Sequence, residues 1–476
     1  MMSTHHAGGK RSLRGHVDRV DKFLIAGWAL CEDEPAERPE IQFVQAGEVV
    51  ITLRPCFPHP QLRTALNLPA SPAAPTYHWR LWMPLANGLK PDVPFSIVFR
   101  ENGALLTLGE NRRLAAMQSI DPAARADLDE AVLFTPTITR LEDALDVSVV
   151  VEKPTPPGDV AVKLFDRSET RIPLRPGSPS VLGKEANYGS LRIPRSQVMA
   201  ASGTSLRIGV DSSEPGDSRS QFHSSLRSLW IPKAVFDASR LSAPLPDIAN
   251  IHRVSGPTSD AFQYLVFGAT TFHQLDLIAR RHAGRPIADL GTVLDWGVGC
   301  GRVLRQIRES GEGRAKMTIG LDIDEVNIRW CAQNLATHGD FGVLSLDGFD
   351  LEERSVDFLY GISVMTHLTE YHQLMWLDRI RRILKPGGLA VLTVHGEGVY
   401  YRQPQALFAP FVERFGFFDS IADNAIGEDR STYYRATYHS RSYIRQTWAK
   451  YLEIVDVIVM GQHFSQDYVV LRRPTG

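Results

Sequence analysis

The sequence of 476 residues is poor in cysteine. Its four cysteines, Cys31, Cys56, Cys300 and Cys331, stand far apart. Disulfide frameworks and structural zinc sites need several cysteines at characteristic close spacings, so we expect neither. No set of acids and histidines has the spacing of a metal site, and no catalytic metal is expected. The scarcity of cysteine favours a cytoplasmic protein.

The sequence also lacks an excess of one charge and any long apolar run. Its 52 basic and 54 acidic residues give a net charge of −2, so no overall field attracts nucleic acid, and no nucleic-acid partner is expected. The longest apolar stretches, such as residues 23–31 and 454–460, are far shorter than the roughly 20 residues that cross a bilayer. We therefore expect no integral membrane segment, and the length predicts two or three globular domains.

The first half of the chain has the pattern of β-structure. Short apolar runs alternate with glycine- and proline-rich breaks, and Asn102-Gly103 between two apolar runs predicts a hairpin. We predict a flexible leader (residues 1–14), a β-sandwich module (15–115), and a second β-rich module (116–240) with a helical segment at 122–134. The pattern leaves open whether the two β-rich regions form one domain or two.

Strands and helices alternate in the second half, which predicts a mostly parallel sheet covered by helices over residues 241–476. Asp295-Trp296-Gly297-Val298-Gly299-Cys300-Gly301 lies between a predicted strand at 292–294 and a helix beginning at Val303. Glycines at such a turn allow the backbone to approach a ligand closely. A dinucleotide fold would place its third glycine where Arg302 stands, so the spacing favours a ligand without pyrophosphate. The acidic residue before the glycines, Asp295, suits a ligand that carries a positively charged group.

Two further aspartates follow predicted strands. Asp322 ends the next strand, where a carboxylate can accept hydrogen bonds from both hydroxyls of a ribose. The alternative role of a helix N-cap suits Asp324 better. Asp347 follows the third strand and is either a contact for an adenine amino group or a solvated turn residue.

These segments resemble the class I S-adenosylmethionine-dependent methyltransferases over roughly residues 262–473. The resemblance implies that Gly297, Gly299 and Gly301 line the methionine end of the cofactor and that Asp295 reaches its amino group. It also implies that Asp322 holds the ribose and Asp347 faces the adenine. The expected fold is a Rossmann-like sheet of seven strands that ends in an antiparallel hairpin, with residues 452–460 and 467–472 as its arms.

The methyl acceptor is expected at the carboxyl ends of the fourth and fifth strands. His367 and His395 follow those strands and are the candidates for a general base, although each can equally be a structural histidine. Ser363 is a candidate cofactor contact. Arg302 is either a partner of the cofactor carboxylate or a solvated residue. Tyr400, Tyr401 and His439 are candidates for a substrate lid, and an aromatic cluster at residues 433–439 either stacks on a ring or is core.

Residues 15–83 resemble a β-sandwich module found beside glycosyltransferases and methyltransferases of bacterial surface-polysaccharide assembly. The resemblance depends on Gly15 to Asp18, on Gly27-Trp28-Ala29 and on the proline-rich break that follows, and it departs from the family at His59-Pro60-Gln61. It implies O-methylation of a glycan or glycan precursor and glycan-assembly proteins as partners. The alternatives are a small-molecule or protein acceptor, or a non-catalytic cofactor-binding scaffold.

Overall fold

The computed structural model describes most of the C-terminal half and separate parts of the N-terminal half. The described residues are 12–20, 24–33, 38–55, 78–82, 95–106, 131–152, 160–165, 170–176, 185–212, 218–309, 315, 317–346, 348–400, 412, 415–421, 435–463 and 465–475. Contacts divide the chain into two compact units, one of residues 1–119 with 413–415 and one of residues 120–412 with 416–476. No helix within the described ranges is long and apolar enough to span a membrane.

The N-terminal unit is strand-rich. Its strands form two antiparallel sheets in the orders β1-β2-β5 and β4-β3-β6. The strands are β1 (Leu13–Val20), β2 (Leu24–Cys31), β3 (Ile41–Gln45), β4 (Glu48–Leu53), β5 (His78–Trp82) and β6 (Phe95–Phe99). Strands β3 and β6 alternate buried and half-buried residues, which is the period-2 pattern of a sheet with one face toward a core.

The turn predicted at Asn102-Gly103 is confirmed. Gly103 has a φ of 68°, a left-handed conformation that favours glycine, and its N–H donates to the Phe99 carbonyl at 2.8 Å. Beyond the turn, Leu105 forms a single bridge with Val98 rather than a full strand. Trp28 is partly buried, and the side chains of Trp79 and Trp82 lie outside the described part.

Residues 131–235 form a pair of four-stranded antiparallel sheets, here called the two-sheet module. The sheet orders are β10-β9-β13-β14 and β11-β12-β8-β7. The elements are β7 (Leu133–Arg140), β8 (Ala144–Glu152), β9 (Val160–Leu164), β10 (Arg171–Ile172), β11 (Arg175–Pro176), β12 (Ala186–Pro194), α1 (Arg195–Ala200), β13 (Ser205–Ser212), α2 (Ser218–Leu226) and β14 (Ser228–Pro232).

The helical segment expected at 122–134 needs a correction at its end. Leu133 and Phe134 begin strand β7 and are almost wholly buried. Phe134 packs in the core of the two-sheet module, whereas Leu133 points to the opposite face and packs against Val459 and Met460 of the C-terminal sheet. The rest of that segment, residues 122–130, lies outside the described part of the chain.

The C-terminal sheet has seven strands in the order β17-β16-β15-β18-β19-β23-β22, and only β23 runs against its neighbours. The elements are α3 (Ile248–Ser255), α4 (Ala261–Ala283), β15 (Thr292–Trp296), α5 (Gln306–Glu309), β16 (Met317–Asp322), α6 (Glu325–Asn334), β17 (Asp340–Val343), β18 (Val356–Gly361), α7 (Glu370–Ile383), β19 (Leu384–Val394), α8 (Glu397–Tyr400), β20 (Phe417–Ile421), β21 (Arg435–His439), α9 (Arg441–Thr447), β22 (Glu453–Gln462) and β23 (Gln466–Arg472).

This order confirms the predicted α/β sheet and its closing hairpin, β22–β23. Crossover helices between parallel strands bring the carboxyl ends of β15 to β19 to one edge, where ligands bind in open sheets. The helix predicted from Val303 begins later, at Gln306, because residues 301–305 still belong to the turn.

Helix α4 joins the two-sheet module to the C-terminal sheet. Asp260 caps its first turn by accepting from the Gln263 N–H, and Gly284 ends it in the left-handed conformation. Thr270 accepts from the Trp230 N–H of β14 at 3.0 Å. The Nε2 of the buried Gln274 donates both to the Leu226 carbonyl of the module and to the Gly461 carbonyl of β22. Helix α4 therefore packs with its first half in the core of the module and with its second half in the core beside the sheet.

We predict that Gln274→Met lowers the free energy of unfolding by about 1–3 kcal/mol, because it leaves two buried carbonyls without their donor. The Tyr468 hydroxyl, which donates to Gln274 Oε1 at 2.9 Å, also loses its acceptor. Urea titration monitored by circular dichroism measures the change. Gln263→Met, at a partly exposed position of the same helix, is the control and should change stability little. Equal effects of the two substitutions would contradict the assigned role.

Candidate functional site

The glycine turn lies at the carboxyl end of β15 and has no room for side chains. Gly297, Gly299 and Gly301 have φ angles of 80°, 53° and 76°. A Cβ on them would lie 2.5, 2.7 and 2.3 Å from side-chain atoms of Val364, Val254 and Leu335, respectively. Larger residues are therefore excluded both by backbone conformation and by packing.

Asp322 ties the glycine turn to the end of the neighbouring strand. Its carboxylate accepts from the Gly299 N–H at 2.7 Å and from the Asp324 N–H at 2.9 Å. The backbone of Gly297 also donates to the Leu321 carbonyl at 2.8 Å. These bonds hold the carboxylate at the edge of the sheet beside the backbone of the turn.

Asp324 caps helix α6, as predicted, by accepting from the Val326 N–H at 3.0 Å. Its other oxygen lies 2.6 Å from the Arg253 guanidinium of α3. Burial works against ionisation of this carboxyl, but the hydrogen bond and charge of Arg253 outweigh it and lower the pKa of Asp324. This ion pair links the end of helix α3 to the start of helix α6.

Asp295 is buried beneath the turn, with 3% of its surface exposed. Burial raises its pKa to about 8, opposed in part by the Tyr360 hydroxyl. Arg302 is the nearby positive charge, and burial lowers its pKa. Its guanidinium donates to Ser255 Oγ at 3.1 Å, while its Nε has no partner among the described residues.

A cleft of about 200 Å³ opens at this edge of the sheet. Arg302 and Asp295 lie beneath the cleft and are not among the residues that line it, and Asp347 lies outside the described residues. The lining of the cleft brings together five of the ten predicted site residues, Gly297, Gly299, Asp322, Ser363 and His367, with several that sequence reasoning missed. The lining residues are Arg253, Val254, Trp296, Gly297, Gly299, Asp322, Ile323, Asp324, Asn327, Leu344, Leu346, Ile362, Ser363, Val364, His367, Leu368 and Trp376.

Ser363 is held in a strained conformation at the end of β18. Its φ of 58° is unusual for a residue other than glycine. Its N–H donates to Thr393 Oγ1 at 2.7 Å, and its hydroxyl lies 3.1 Å from Gln466 Oε1. Strain of this kind persists only where neighbouring contacts enforce it, and it is concentrated at functional sites.

His367 and His395 hydrogen-bond to β21, a strand of the insertion, which is the segment between β19 and β22. His367 Nδ1 lies 2.8 Å from the Arg435 carbonyl, and His395 Nδ1 lies 3.1 Å from the Thr437 carbonyl. Burial lowers the pKa of His367, and burial together with the charge of His367 lowers the pKa of His395 to about 4. Both imidazoles are therefore neutral near pH 7. His367 lines the cleft, whereas His395 lies behind it.

Among the residues predicted for a substrate lid, His439 is the one whose side chain the structure describes. His439 is fully buried and Tyr438 nearly so, which places these two members of the aromatic cluster in the core. Tyr401, Tyr433 and Tyr434 lie outside the described residues, as does the side chain of Tyr400.

Two of the residues missed by sequence reasoning, Arg253 and Trp376, come from helices rather than strand ends. Trp376 belongs to the buried face of α7, and its ring centroid is 5.1 Å from that of Trp296. Arg253 comes from α3, which precedes the sheet in sequence. The amphipathic pattern of α7 can indicate that Trp376 is buried, but it cannot show that the cleft is beside it.

Comparison with known proteins agrees with this geometry. Residues 293–388 match a family model described as a methyltransferase domain. This segment is a methyltransferase domain. Its sheet has the class I fold, and S-adenosylmethionine is its cofactor. No curated protein matches the chain significantly.

Three of the matching solved structures each align with less than half of the chain. The PH0226 protein from Pyrococcus horikoshii OT3 is 15% identical over 47% of this chain and 98% of its own, with a TM-score of 0.32. An S-adenosylmethionine-dependent methyltransferase from Mesorhizobium loti is 16% identical over 42% and 97%, with a TM-score of 0.29. The glycopeptide N-methyltransferase MtfA, complexed with sinefungin, is 13% identical over 44% and 87%, with a TM-score of 0.32.

The residues of the site fit the cofactor. The glycine turn lets the backbone approach a ligand where a Cβ would be in the way. Asp322 presents a carboxylate at the strand end. Asp295 and Arg302 place one acidic and one basic side chain below the turn. A ribose and a zwitterionic amino acid need such groups.

The raised pKa of Asp295 predicts a pH-dependent stability. The folded protein binds this proton more tightly than the unfolded chain, in which aspartate titrates near about 4. The stabilising contribution is therefore complete below about pH 4 and is lost as pH rises toward about 8. Asp295→Asn has no such titration, so its free energy of unfolding relative to wild type should rise over this range.

Urea titrations between about pH 5 and pH 9 measure this difference. Asp340→Asn removes an exposed carboxyl and is the matched control. A difference between Asp295→Asn and wild type that stays constant with pH would contradict the prediction.

Proposed function

We propose that the chain is a methyltransferase that transfers the methyl group of S-adenosylmethionine to a hydroxyl of a glycan or glycan precursor in the cytoplasm. The observation that carries the proposal is that Gly297, Gly299, Asp322 and His367 all line the same cleft. Cofactor groups and an acceptor-side imidazole thus share one enclosed space, as an in-line displacement requires.

The cofactor side divides into three parts. The turn of Gly297, Gly299 and Gly301 faces the methionine end, and Asp322 accepts from the ribose hydroxyls. Asp295 and Arg302 would pair with the amino and carboxylate groups, because they are the acid and the base buried beneath the turn. Ser363 contacts the cofactor from the end of β18, and Asp347 is proposed for the adenine end.

The acceptor side supplies a proton acceptor. When bound, the cofactor supplies an electrophilic methyl group on a sulfonium. The acceptor hydroxyl that takes up this methyl group would have to lose its proton, and a neutral imidazole of this chain would accept it. His367 lines the cleft and would receive the proton, with His395 behind it.

The glycan class rests on the N-terminal resemblance and on the strand-rich N-terminal unit, in which the proposed acceptor-binding module is residues 15–115. The two paired sheets of residues 131–235 support a second β-sandwich. A small molecule or a protein is the alternative acceptor. A scaffold that binds cofactor without turnover is the alternative of another class.

Labelled S-adenosylmethionine offered to fractionated cell extracts tests the acceptor class. Label in carbohydrate that survives mild base is expected, because ethers resist base while methyl esters release methanol. Label confined to protein or released by base would remove the glycan hydroxyl proposal. Cofactor binding with no label transferred to any fraction would favour the scaffold.

Asp322→Ala should reduce cofactor affinity below detection in calorimetric titration with S-adenosylhomocysteine. The substitution removes the ribose acceptor and the bond that holds the Gly299 N–H. Asp340→Ala removes an exposed acid at the start of the adjacent strand β17 and should bind normally. Unchanged affinity in a folded Asp322→Ala protein would overturn the cofactor assignment.

Arg302→Met separates recognition of the amino-acid end from recognition of the nucleoside. It should weaken binding of S-adenosylhomocysteine by about tenfold or more, the worth of a hydrogen bond to a charged group. Binding of 5′-methylthioadenosine, which lacks the amino acid, should hardly change. Equal losses for the two ligands would indicate that Arg302 only supports the turn.

A further inference from the structure

The insertion strand β21 turns one edge toward the two candidate histidines. Its residues 435, 437 and 439 alternate along the strand, so their backbone groups point the same way. The carbonyls of Arg435 and Thr437 contact His367 and His395, and the His439 N–H donates to the His395 carbonyl at 2.8 Å. One strand edge thus contacts both imidazoles.

These contacts fix the tautomer of each ring. A carbonyl oxygen only accepts, so Nδ1 must carry the proton in both histidines. In a neutral imidazole Nε2 is then the acceptor. Both rings consequently present a lone pair, rather than an N–H, at Nε2.

A buried glutamine of α7 holds β21 in this position. Gln373 Nε2 donates to the carbonyls of Met365 and Leu368 at 2.8 and 3.1 Å, which orients its amide. Its Oε1 therefore accepts from His439 Nε2, at 2.8 Å. Gln373 has no exposed surface and His439 has none either.

Thr437 makes a second link between β21 and the segment that carries His367. Its hydroxyl donates to the Met365 carbonyl at 2.9 Å and accepts from Gln373 Nε2 at 3.4 Å. Met365 begins the short 3₁₀ helix that ends at His367. The amide of Gln373 therefore joins the helix of His367 to the strand that fixes both rings.

We propose that Gln373 is a positioning residue of the acceptor site, which holds β21 so that His367 and His395 present Nε2 as hydrogen-bond acceptors. The inference rests on the proposed function and narrows its substrate class. The acceptor group must donate a hydrogen bond, as a neutral hydroxyl does. A carboxylate acceptor, which brings only lone pairs, is excluded from this arrangement.

Histidine-selective ¹⁵N labelling and NMR test the tautomers directly. The rings of His367 and His395, assigned with His367→Gln and His395→Gln, should both show the Nδ1–H form in wild type. Gln373→Met should shift one or both toward the Nε2–H form and reduce label transfer to the extract by about tenfold or more, since positioned bases contribute at least that much. Affinity for S-adenosylhomocysteine should stay within about twofold of wild type, because neither Gln373 nor β21 lines the cofactor side.

Gln274→Met is the matched control, since it removes an equally buried amide at the other side of the domain. It should lower stability while leaving both tautomers unchanged. If Gln373→Met fails to fold, Thr437→Val, which removes the hydroxyl link but keeps the carbonyl, takes its place with the same expected direction.

Two results would overturn the inference. One is an Nε2–H tautomer for either ring in wild type, and the other is tautomers unaffected by both Gln373→Met and Thr437→Val. Because the spectra require no turnover, absence of label transfer from wild type would instead count against the proposed function alone.

Discussion

Close packing of helix α4 against the glycine turn is the contact on which the C-terminal unit depends. A Cβ on Gly268 would lie 2.4 Å from the Arg302 carbonyl, so only glycine lets the helix come this near. Four residues earlier, the buried Tyr264 hydroxyl donates to the Cys300 carbonyl at 2.9 Å. The opposite contacts of α4, through Thr270 and Gln274, belong to the two-sheet module. The helix therefore supports the turn and is itself fixed by the module.

Local patterns explain what the sequence could predict. The glycine spacing, the capping role of Asp324 and the β22–β23 hairpin each depend on neighbours within a few residues or on a simple period. Asp295 and Asp322 could be placed because parallel topology brings strand ends together. The sequence could not reveal that Arg253 reaches Asp324, because the two side chains are 71 positions apart. Nor could it reveal that β21 meets His395, because that contact uses a backbone carbonyl, which every residue has.

The packing of the two-sheet module against the rest of its unit likewise could not be predicted from the sequence. The alternation of apolar and polar residues predicts the strands of the module. It does not predict how the module packs on helix α4, because the buried hydrogen bond from the Trp230 N–H to Thr270 has no recognisable sequence signal. Asp456 of β22 likewise meets Arg219 and His223 of α2 at 2.9 and 2.8 Å. The predicted boundary at residues 240 and 241 follows from the change of period, and the period says nothing about how the flanking elements pack.

Buried charge fixes the end of β19, where the acceptor side begins. Arg441 lies wholly buried and donates to Glu397 at 3.1 Å, close to Asp467, whose pKa is raised to about 7 chiefly by burial. A Cβ on Gly396 would meet Asp467 Oδ2 at 2.0 Å. Burying such a cluster costs desolvation, and the ion pair and hydrogen bonds among its members offset part of that cost. His395 is adjacent to Gly396, so the charges hold its backbone while β21 holds its ring. The ionisable groups that line the described cleft thus divide by position. Asp322 and Asp324, the latter paired with Arg253, lie beside the glycine turn, and His367 is the imidazole placed to accept a proton.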